Sequence, residues 1–172
     1  MGKKINVIAS LDRKAYLTHC QWMKKALKLA ELAGKLEEVP VGALIVDKDG
    51  KVIAQAANRK ERCADATAHA EMLAIQTASK VKQSRYLNDC TLYVTLEPCP
   101  MCAGAIVNSR VKLLVYGADD PKTGAIQTVI NIPDSAASNH KLAVLGGILE
   151  AECRQQLQAW FAEKRSKKWS KK

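Results

Sequence analysis

One histidine, one glutamate and two cysteines have residue types and spacing that could perform chemistry. His69 and Glu71 are separated by a single residue, and Cys99 and Cys102 lie about thirty positions further along the chain. If a helix begins at Pro100, both thiols lie on its first turn, where the helix N-terminus favours the thiolate form that binds metal. A histidine with two cysteines gives zinc three protein ligands and leaves its fourth tetrahedral position open. That arrangement is typical of catalytic sites.

Glu71 would serve such a site by moving protons. Zinc lowers the pKa of water from 15.7 to about 7, which supplies a nucleophile at neutral pH. Two residues that are two positions apart in a helix point away from each other, so His69 and Glu71 face one site only near a helix start. Asp65 and Thr67 are the predicted N-cap residues of this helix.

The separate motifs leave alternatives open. Cys99 and Cys102 alone could form a redox pair or two core cysteines, and a histidine two residues before a glutamate is common by chance. Their combination with a strand-forming run that ends just before Glu97 favours catalytic zinc. The other cysteines are expected to be small buried side chains: Cys20, Cys63, Cys90 and Cys153.

Hydrophobic periodicity predicts alternating helices and strands. The predicted helices cover residues 16–35, 66–81, 100–109 and 149–160. The predicted strands cover residues 41–46, 51–57, 91–96, 111–116 and 142–145, with a hairpin turn at 47–50 and a long loop over 117–139. This order predicts an α/β fold with a largely parallel sheet and helices on both of its faces.

Positive charge is concentrated at the C-terminus. The chain of 172 residues has a formal net charge of +10, and residues 164–172 contain six basic side chains and no acidic one. Such a segment could contact a polyanion or be a solvated tail. No apolar run is long enough to span a membrane and no signal peptide is recognisable, so we expect a single domain in the cytoplasm.

The four residues of the first motif match the H-x-E…P-C-x-x-C signature of zinc-dependent nucleobase deaminases. From about Leu17 to Arg165 the chain resembles the bacterial tRNA adenosine deaminase family, within the cytidine and deoxycytidylate deaminase superfamily. The stretches that carry this resemblance are 39–43, 58–59, 91–99, 101–106, 116–118, 122–125, 139–140 and 147–149. Pro100 departs from the valine that is usual in the family.

The resemblance implies a three-layer α/β/α, cytidine-deaminase-like fold with a central mixed five-stranded sheet. It implies one Zn²⁺ per subunit, held by His69, Cys99 and Cys102, with Glu71 as proton shuttle. The implied reaction is hydrolytic deamination of adenosine to inosine at the wobble position, on a tRNA anticodon stem-loop bound across a homodimer. The implied substrate-binding residues are Asn58, Ala70, Asp120, Lys122, Trp160, Phe161, Lys164 and Arg165.

The predicted organisation is an N-terminal extension at 1–15, a deaminase domain at 16–163 and a basic tail at 164–172. Trp160 also lies on an apolar stripe of the last predicted helix, which favours a place in the core. Two other functions remain open. A deaminase of guanine or of a cytosine-type small molecule would share every zinc residue, and a zinc-stabilised RNA-binding module without activity would need no Glu71.

Overall fold

The computed structural model describes residues 11–169 of the chain, with side chains to position 167. This part contains five helices and five strands. The helices are α1 (Arg13–Lys35), α2 (Lys60–Cys63), α3 (Ala70–Lys82), α4 (Pro100–Asn108) and α5 (Glu150–Trp169). The strands are β1 (Gly42–Val46), β2 (Val52–Ala57), β3 (Thr91–Leu96), β4 (Leu113–Ala118) and β5 (Ala143–Gly146). Within residues 11–169, no helix combines the length and the apolar character that a membrane crossing requires.

The strands form one sheet in the order β2-β1-β3-β4-β5. Strand β1 is antiparallel to both β2 and β3, whereas β3 pairs in parallel with β4, and β4 with β5. Four of the five strands therefore run in one direction, as the alternation of elements predicts, and the reversed strand β1 makes the sheet mixed, as the resemblance implies. Strands β2 and β3 do run in the same direction, as expected for strands joined through a helix, but β1 lies between them.

Helices cover both faces of the sheet. Successive strand residues point to opposite faces, so Ala43 and Ile45 pack with α3 and α4, whereas Leu44 and Val46 pack with α1 and α5. Small side chains such as Ala74 let α3 lie close to the strands. This arrangement confirms the three-layer α/β/α prediction.

Helix α1 lies directly on strand β1 at Gly42. A Cβ atom at this position would be 2.2 Å from the carbonyl oxygen of Ala26, so no side chain fits between the two backbones. The Gly42 N–H donates to the Thr95 hydroxyl oxygen at 3.3 Å. The start of β1 is thereby fixed between a helix and the neighbouring strand.

Two predicted helix boundaries differ from the structure by four residues or more. Helix α3 begins at Ala70 and not at 66, because the preceding residues form a turn in which the Asp65 carboxylate accepts hydrogen bonds from the backbone and hydroxyl of Thr67. Helix α5 continues to Trp169, nine residues beyond the predicted end. Its added turns have little apolar periodicity but contain good helix formers.

Other sequence expectations fall partly outside the described region. Residues 1–10 of the predicted extension and residues 170–172 of the predicted tail lie beyond it, and α1 begins at Arg13, inside the expected extension. Helix α2 was not predicted. Cys20, Cys90 and Cys153 are buried as expected, but Cys63 on α2 is exposed, so the expectation for this cysteine is wrong.

Candidate active site

The starts of α3 and α4 bring three metal-binding side chains together. His69 is the N-cap residue of α3, and Cys99 is the N-cap residue of α4, with Pro100 in its first turn. The Nδ1 atom of His69 lies 3.6 Å from Cys99 Sγ and 3.5 Å from Cys102 Sγ. The three ligand atoms all lie within 4.8 Å of one another.

These distances fit a tetrahedral metal centre. With metal–sulfur and metal–nitrogen bonds of about 2.3 Å and about 2.0–2.1 Å, as in zinc sites, tetrahedral angles separate sulfur and nitrogen by about 3.6 Å. Both sulfur–nitrogen separations agree with this value. Three donors of this kind leave one position open for a small molecule.

The pKa values of the two thiols are shifted in opposite directions. The hydrogen bond from Cys102 lowers the pKa of Cys99 to about 4, with a further contribution from His69. The same bond, together with burial, raises the pKa of Cys102. Hydrogen bonding to Cys99 raises the pKa of His69. Metal binding deprotonates cysteine ligands, so a bound cation would hold both sulfurs as thiolates.

Glu71 lies in the first turn of α3, and its side chain is only 4% exposed. Burial raises the pKa of the Glu71 carboxyl, and a hydrogen bond from its own backbone N–H opposes this effect. A carboxyl group whose pKa is raised toward neutrality can both accept and donate a proton. His69 has extended backbone dihedrals immediately before the helix, which allows its side chain to share a site with Glu71. Asp65 and Thr67 lie in the preceding turn, so the prediction that they cap this helix is wrong.

A cavity of about 140 Å³ opens over this cluster. Its wall includes His69, Glu71 and Cys99, together with Asn58 at the end of β2 and Asp120 in the loop after β4. The cavity therefore places a buried carboxylate and the metal-binding cluster around one small space.

Asn58 has a carboxamide available to a ligand in this cavity. Its backbone N–H donates to the Val41 carbonyl at 3.0 Å, which fixes the residue against the start of β1. Within the described residues the carboxamide has no protein hydrogen-bond partner. Ala70 is fully buried at the first position of α3, where backbone N–H groups lack partners in the helix.

Asp120 forms part of the cavity rim, but its carboxylate is engaged in its own turn. It accepts hydrogen bonds from the backbone N–H groups of Lys122 and Thr123 at 2.9 and 3.2 Å, and from the Thr123 hydroxyl at 2.6 Å. Thr123 also lines the cavity, whereas Lys122 is exposed outside it.

The substrate-binding residues expected on α5 lie away from the cavity. The Trp160 indole Nε1 donates to the Gly34 carbonyl at 3.2 Å, and Lys164 forms an ion pair with Glu37. Phe161 is 40% exposed and packs edge-on against Trp160, and Arg165 is exposed.

A groove of about 390 Å³ separates the end of α1 from α5, and Trp160 and Pro40 both line it. Pro40 is flanked by Val39 and Val41, which line the cavity over the metal-binding cluster. The segment 39–41 therefore connects the α5 groove to the cavity.

Sequence reasoning missed several residues of the cavity wall. Val39, Val41 and Leu96 give it apolar surface, and Lys60 on α2 adds a positive charge. Glu97 also lines it, although it is only 2% exposed. The sequence contains one signal for Glu97, which is an acidic residue directly after a strand of buried type. A carboxylate buried at such a position needs hydrogen-bond donors around it.

Comparisons with known proteins identify the family. Residues 17–154 match the family described as MafB19-like deaminase. The chain is 48% identical over 147 residues to the tRNA-specific adenosine deaminase of Bacillus subtilis (strain 168), an alignment that covers 86% of this chain and 91% of that protein. The chain belongs to the tRNA-specific adenosine deaminase family. The recognition made from the sequence motifs is therefore confirmed.

Solved structures agree with this family assignment. One, from a study of A-to-I editing by tRNA:A34 deaminases at the wobble position of transfer RNA, superposes with a TM-score of 0.77 at 41% identity and covers 79% of this chain and 98% of its own. A guanine deaminase from Nitrosomonas europaea gives a TM-score of 0.71 at 25% identity, with coverage of 83% and 84%. The fold is therefore common to deaminases of different substrates, and sequence identity is higher toward the tRNA-directed structure.

Proposed function

We propose that this protein hydrolyses adenosine to inosine at the wobble position of a tRNA anticodon. The observation that carries the proposal is the small cavity in which Glu71 faces the cluster of His69, Cys99 and Cys102. The similarity to tRNA-specific adenosine deaminases supports the choice of substrate.

The metal in this proposal is Zn²⁺, one ion per subunit, held by His69, Cys99 and Cys102. The donor set and the sulfur–nitrogen separations support it. Bound there, zinc would supply Lewis-acid activation of water at neutral pH.

Glu71 carries the proton transfers. Its carboxylate accepts a proton from the attacking water and delivers it to ring nitrogen N1 while the bond from oxygen to C6 forms. The bond from C6 to the exocyclic nitrogen then breaks as the amine receives, through Glu71, the proton of the new C6 hydroxyl group, so that ammonia leaves and the C6 carbonyl forms. One water is consumed, and adenosine becomes inosine. Burial favours this role because it holds the carboxyl away from competing solvent.

The cavity binds the base alone. The Asn58 carboxamide and the backbone at Ala70 are the polar groups available to hold its edge, and the apolar wall at Val39 and Leu96 accommodates the ring. A base that is paired and stacked cannot enter such a space, so the wobble nucleotide must be turned out of the anticodon loop.

The remaining RNA contacts divide into two groups. Asp120 and Lys122 lie on the loop beside the cavity and would meet nucleotides that flank the reacting base. On α5, we assign anchoring to Trp160, which bonds to Gly34 in α1, and to Lys164, which pairs with Glu37 just after α1.

Phe161 and Arg165 are the exposed members of the α5 group and are available for the stem. Stacking on an exposed base and contact with a phosphate are the interactions open to these two side chains.

Two further features belong to the proposal. The protein would act as a homodimer that binds the anticodon stem-loop across both subunits, as the family resemblance implies, and light scattering with and without RNA would measure this. A tRNA substrate also favours a cytoplasmic location, which fractionation of cells would test.

A substrate comparison tests the proposed reaction. Purified protein loaded with zinc is given an anticodon stem-loop with wobble adenosine, the same stem-loop with adenosine only in its stem, free guanine, and cytidine nucleotides. Ammonia and inosine are measured for each. We expect inosine from the first substrate alone. Guanine or cytidine turnover would instead identify a small-molecule deaminase, and RNA binding without ammonia would identify an inactive binding module.

A further inference from the structure

A buried carboxylate organises the loop beside the cavity. Glu97 follows β3 directly and lies almost wholly inside the protein. Its Oε1 atom accepts hydrogen bonds from the backbone N–H groups of Ile126, Gln127 and Thr128 at 3.1, 2.7 and 3.0 Å. Its Oε2 atom accepts from the Asp120 N–H at 3.1 Å.

The loop, residues 120–128, is fitted closely around this side chain. A Cβ atom at Gly124 would lie 2.3 Å from Glu97 Oε2, so the backbone can approach the carboxylate only because position 124 has no side chain. The carbonyl oxygen of Pro98 accepts a further hydrogen bond from Ala125 N–H at 2.9 Å. Residues 97 and 98 therefore hold both ends of the loop.

These contacts suit a side chain that only accepts hydrogen bonds, through both of its oxygens. All four groups that meet the Glu97 carboxylate are N–H donors, and three of them belong to consecutive residues that converge on one oxygen. Successive backbone N–H groups of this kind form an anion-binding concavity. An isosteric amide would offer one acceptor oxygen and would turn its NH₂ group toward an N–H donor.

The position of Glu97 in the chain connects this loop to the metal-binding cluster. Cys99 lies two residues further on and begins α4, while Asp120 and Thr123 of the loop line the cavity. The segment 97–99 therefore presents a metal ligand and also holds the loop at the rim of the cavity.

We propose that Glu97 is a positioning residue that fixes the loop 120–128 against the metal-binding cluster, and that this fixation lets the loop bind the nucleotides that flank the reacting base. The proposal rests on the function proposed above for its substrate, an RNA loop. Glu97 does not itself need to touch the substrate, because Asp120 and Thr123 present the surface that does.

Glu97→Gln is the direct test, with hydrogen exchange as the first measurement. We expect the backbone amides of residues 126–128 to exchange about tenfold faster or more, while amides of the β3–β4 ladder keep their rates and zinc stays at about one ion per chain. Glu97→Asp retains the charge and should recover part of the protection.

The matched control is Glu38→Gln. Glu38 is only 1% exposed, and its carboxylate accepts hydrogen bonds from Glu61 and Arg62 N–H, which belong to α2. Its substitution removes a buried carboxylate of the same type, and exchange at residues 126–128 should stay unchanged.

Kinetics with the anticodon stem-loop provide the second measurement. We expect Glu97→Gln to raise KM about tenfold and to change kcat less than about threefold, since Glu71 and the metal ligands keep their places. If Glu97→Gln does not fold, Gly124→Ala forces the loop away from the same carboxylate and should show the same pattern.

Unchanged exchange at residues 126–128 in a folded variant would overturn the proposal, and so would faster exchange with an unchanged KM. Failure of the proposed function is distinguishable, because it would appear as an absence of inosine with the wild-type protein, whatever the exchange rates of the variants.

Discussion

The indole Nε1 of Trp160 donates a hydrogen bond to the carbonyl oxygen of Gly34 at 3.2 Å, and this contact joins α5 to the end of α1. A Cβ atom at Gly34 would lie 3.2 Å from the Trp160 ring, so a side chain there would push the indole away by a few tenths of an ångström. The Lys164 ammonium pairs with Glu37 beside it. The basic end of α5 is thereby anchored next to the segment that continues into the cavity wall.

Trp160→Phe should weaken this anchor without emptying the groove. The variant loses the indole N–H donor and keeps most of the apolar surface, so we expect the free energy of unfolding in urea to fall by about 1 kcal/mol. Affinity for the stem-loop should also fall. Phe161→Leu is the control, since the exposed ring should change stability by no more than about 0.5 kcal/mol. Equal stability of Trp160→Phe and wild type would show that the hydrogen bond does not anchor the helix.

Cys99→Ser should abolish stable metal binding. The variant keeps two of the three donors, so the zinc content of protein purified in zinc should fall from about one ion per chain to well below one. Added zinc should raise the Tm of the wild type and leave that of Cys99→Ser unchanged. Cys63→Ser, which removes an exposed thiol outside the cluster, should behave as the wild type in both measurements. A full complement of zinc in Cys99→Ser would exclude this cysteine as a ligand.

Glu71→Gln should separate chemistry from binding. The amide has nearly the same shape but cannot carry a proton, so we expect kcat on the stem-loop to fall by about 10²–10⁴-fold. Zinc content and RNA affinity should persist. The free energy of unfolding should stay equal or rise, because burial disfavours the ionised form of Glu71 and the variant has a neutral amide in its place. A kcat within about threefold of the wild type would remove Glu71 from the mechanism.

Arg165→Ala tests the assignment of α5 to RNA. Loss of one phosphate contact should weaken binding and reduce the slope of log affinity against log salt by about 1. Arg154→Ala removes the same charge from the same helix. Because Arg154 pairs with Glu150 one turn earlier, this substitution should leave the slope unchanged. Fluorescence anisotropy over a series of salt concentrations measures both. If the two variants show the same slope, a specific contact at Arg165 is disproved.

Asp89→Asn should reveal a small pH-dependent contribution to stability. A hydrogen bond from Lys82, at 2.7 Å, holds the pKa of Asp89 below its ordinary value. The pair therefore stabilises the fold above the unfolded-state pKa of the carboxyl, and its contribution disappears as the pH falls through the lower folded-state value. Because both side chains are about one-third exposed, we expect at most about 0.5 kcal/mol at neutral pH.

Urea unfolding at several pH values would measure this difference. The difference between Asp89→Asn and the wild type should shrink with acidification. Asp49→Asn, at the more exposed pair with Lys48, should give no measurable difference at any pH. A difference at Asp89 that does not depend on pH would contradict the ion-pair explanation.

Local signals in the sequence were sufficient for many elements. Strand β3 was predicted with its observed bounds because strand-forming residues run without interruption from Thr91 to Leu96. Pro100 marked the start of α4, because a residue at the first position of a helix needs no N–H group for the helical hydrogen bonds. The spacing of Cys99 and Cys102 predicted that their thiols lie close together, because both residues belong to the first turn of one helix.

Features that depend on distant contacts could not be predicted in the same way. The pairing of β1 with β3 joins residues about fifty positions apart, and nothing local to either strand specifies it. The place of His69 outside α3 depends on the turn at Asp65 and on a hydrogen bond from Arg59 to the Ala68 carbonyl. The role of Glu97 depends on donors about thirty residues further along the chain.

The contact between α1 and Gly42 also determines how the cavity can vary. Val41, directly before this glycine, lines the cavity and accepts a hydrogen bond from Asn58 through its carbonyl oxygen. A methyl group added at position 42 would have to displace either the helix or the strand. The width of the cavity therefore depends on how closely α1 packs against the start of β1 behind its wall, as well as on the residues that face the cavity.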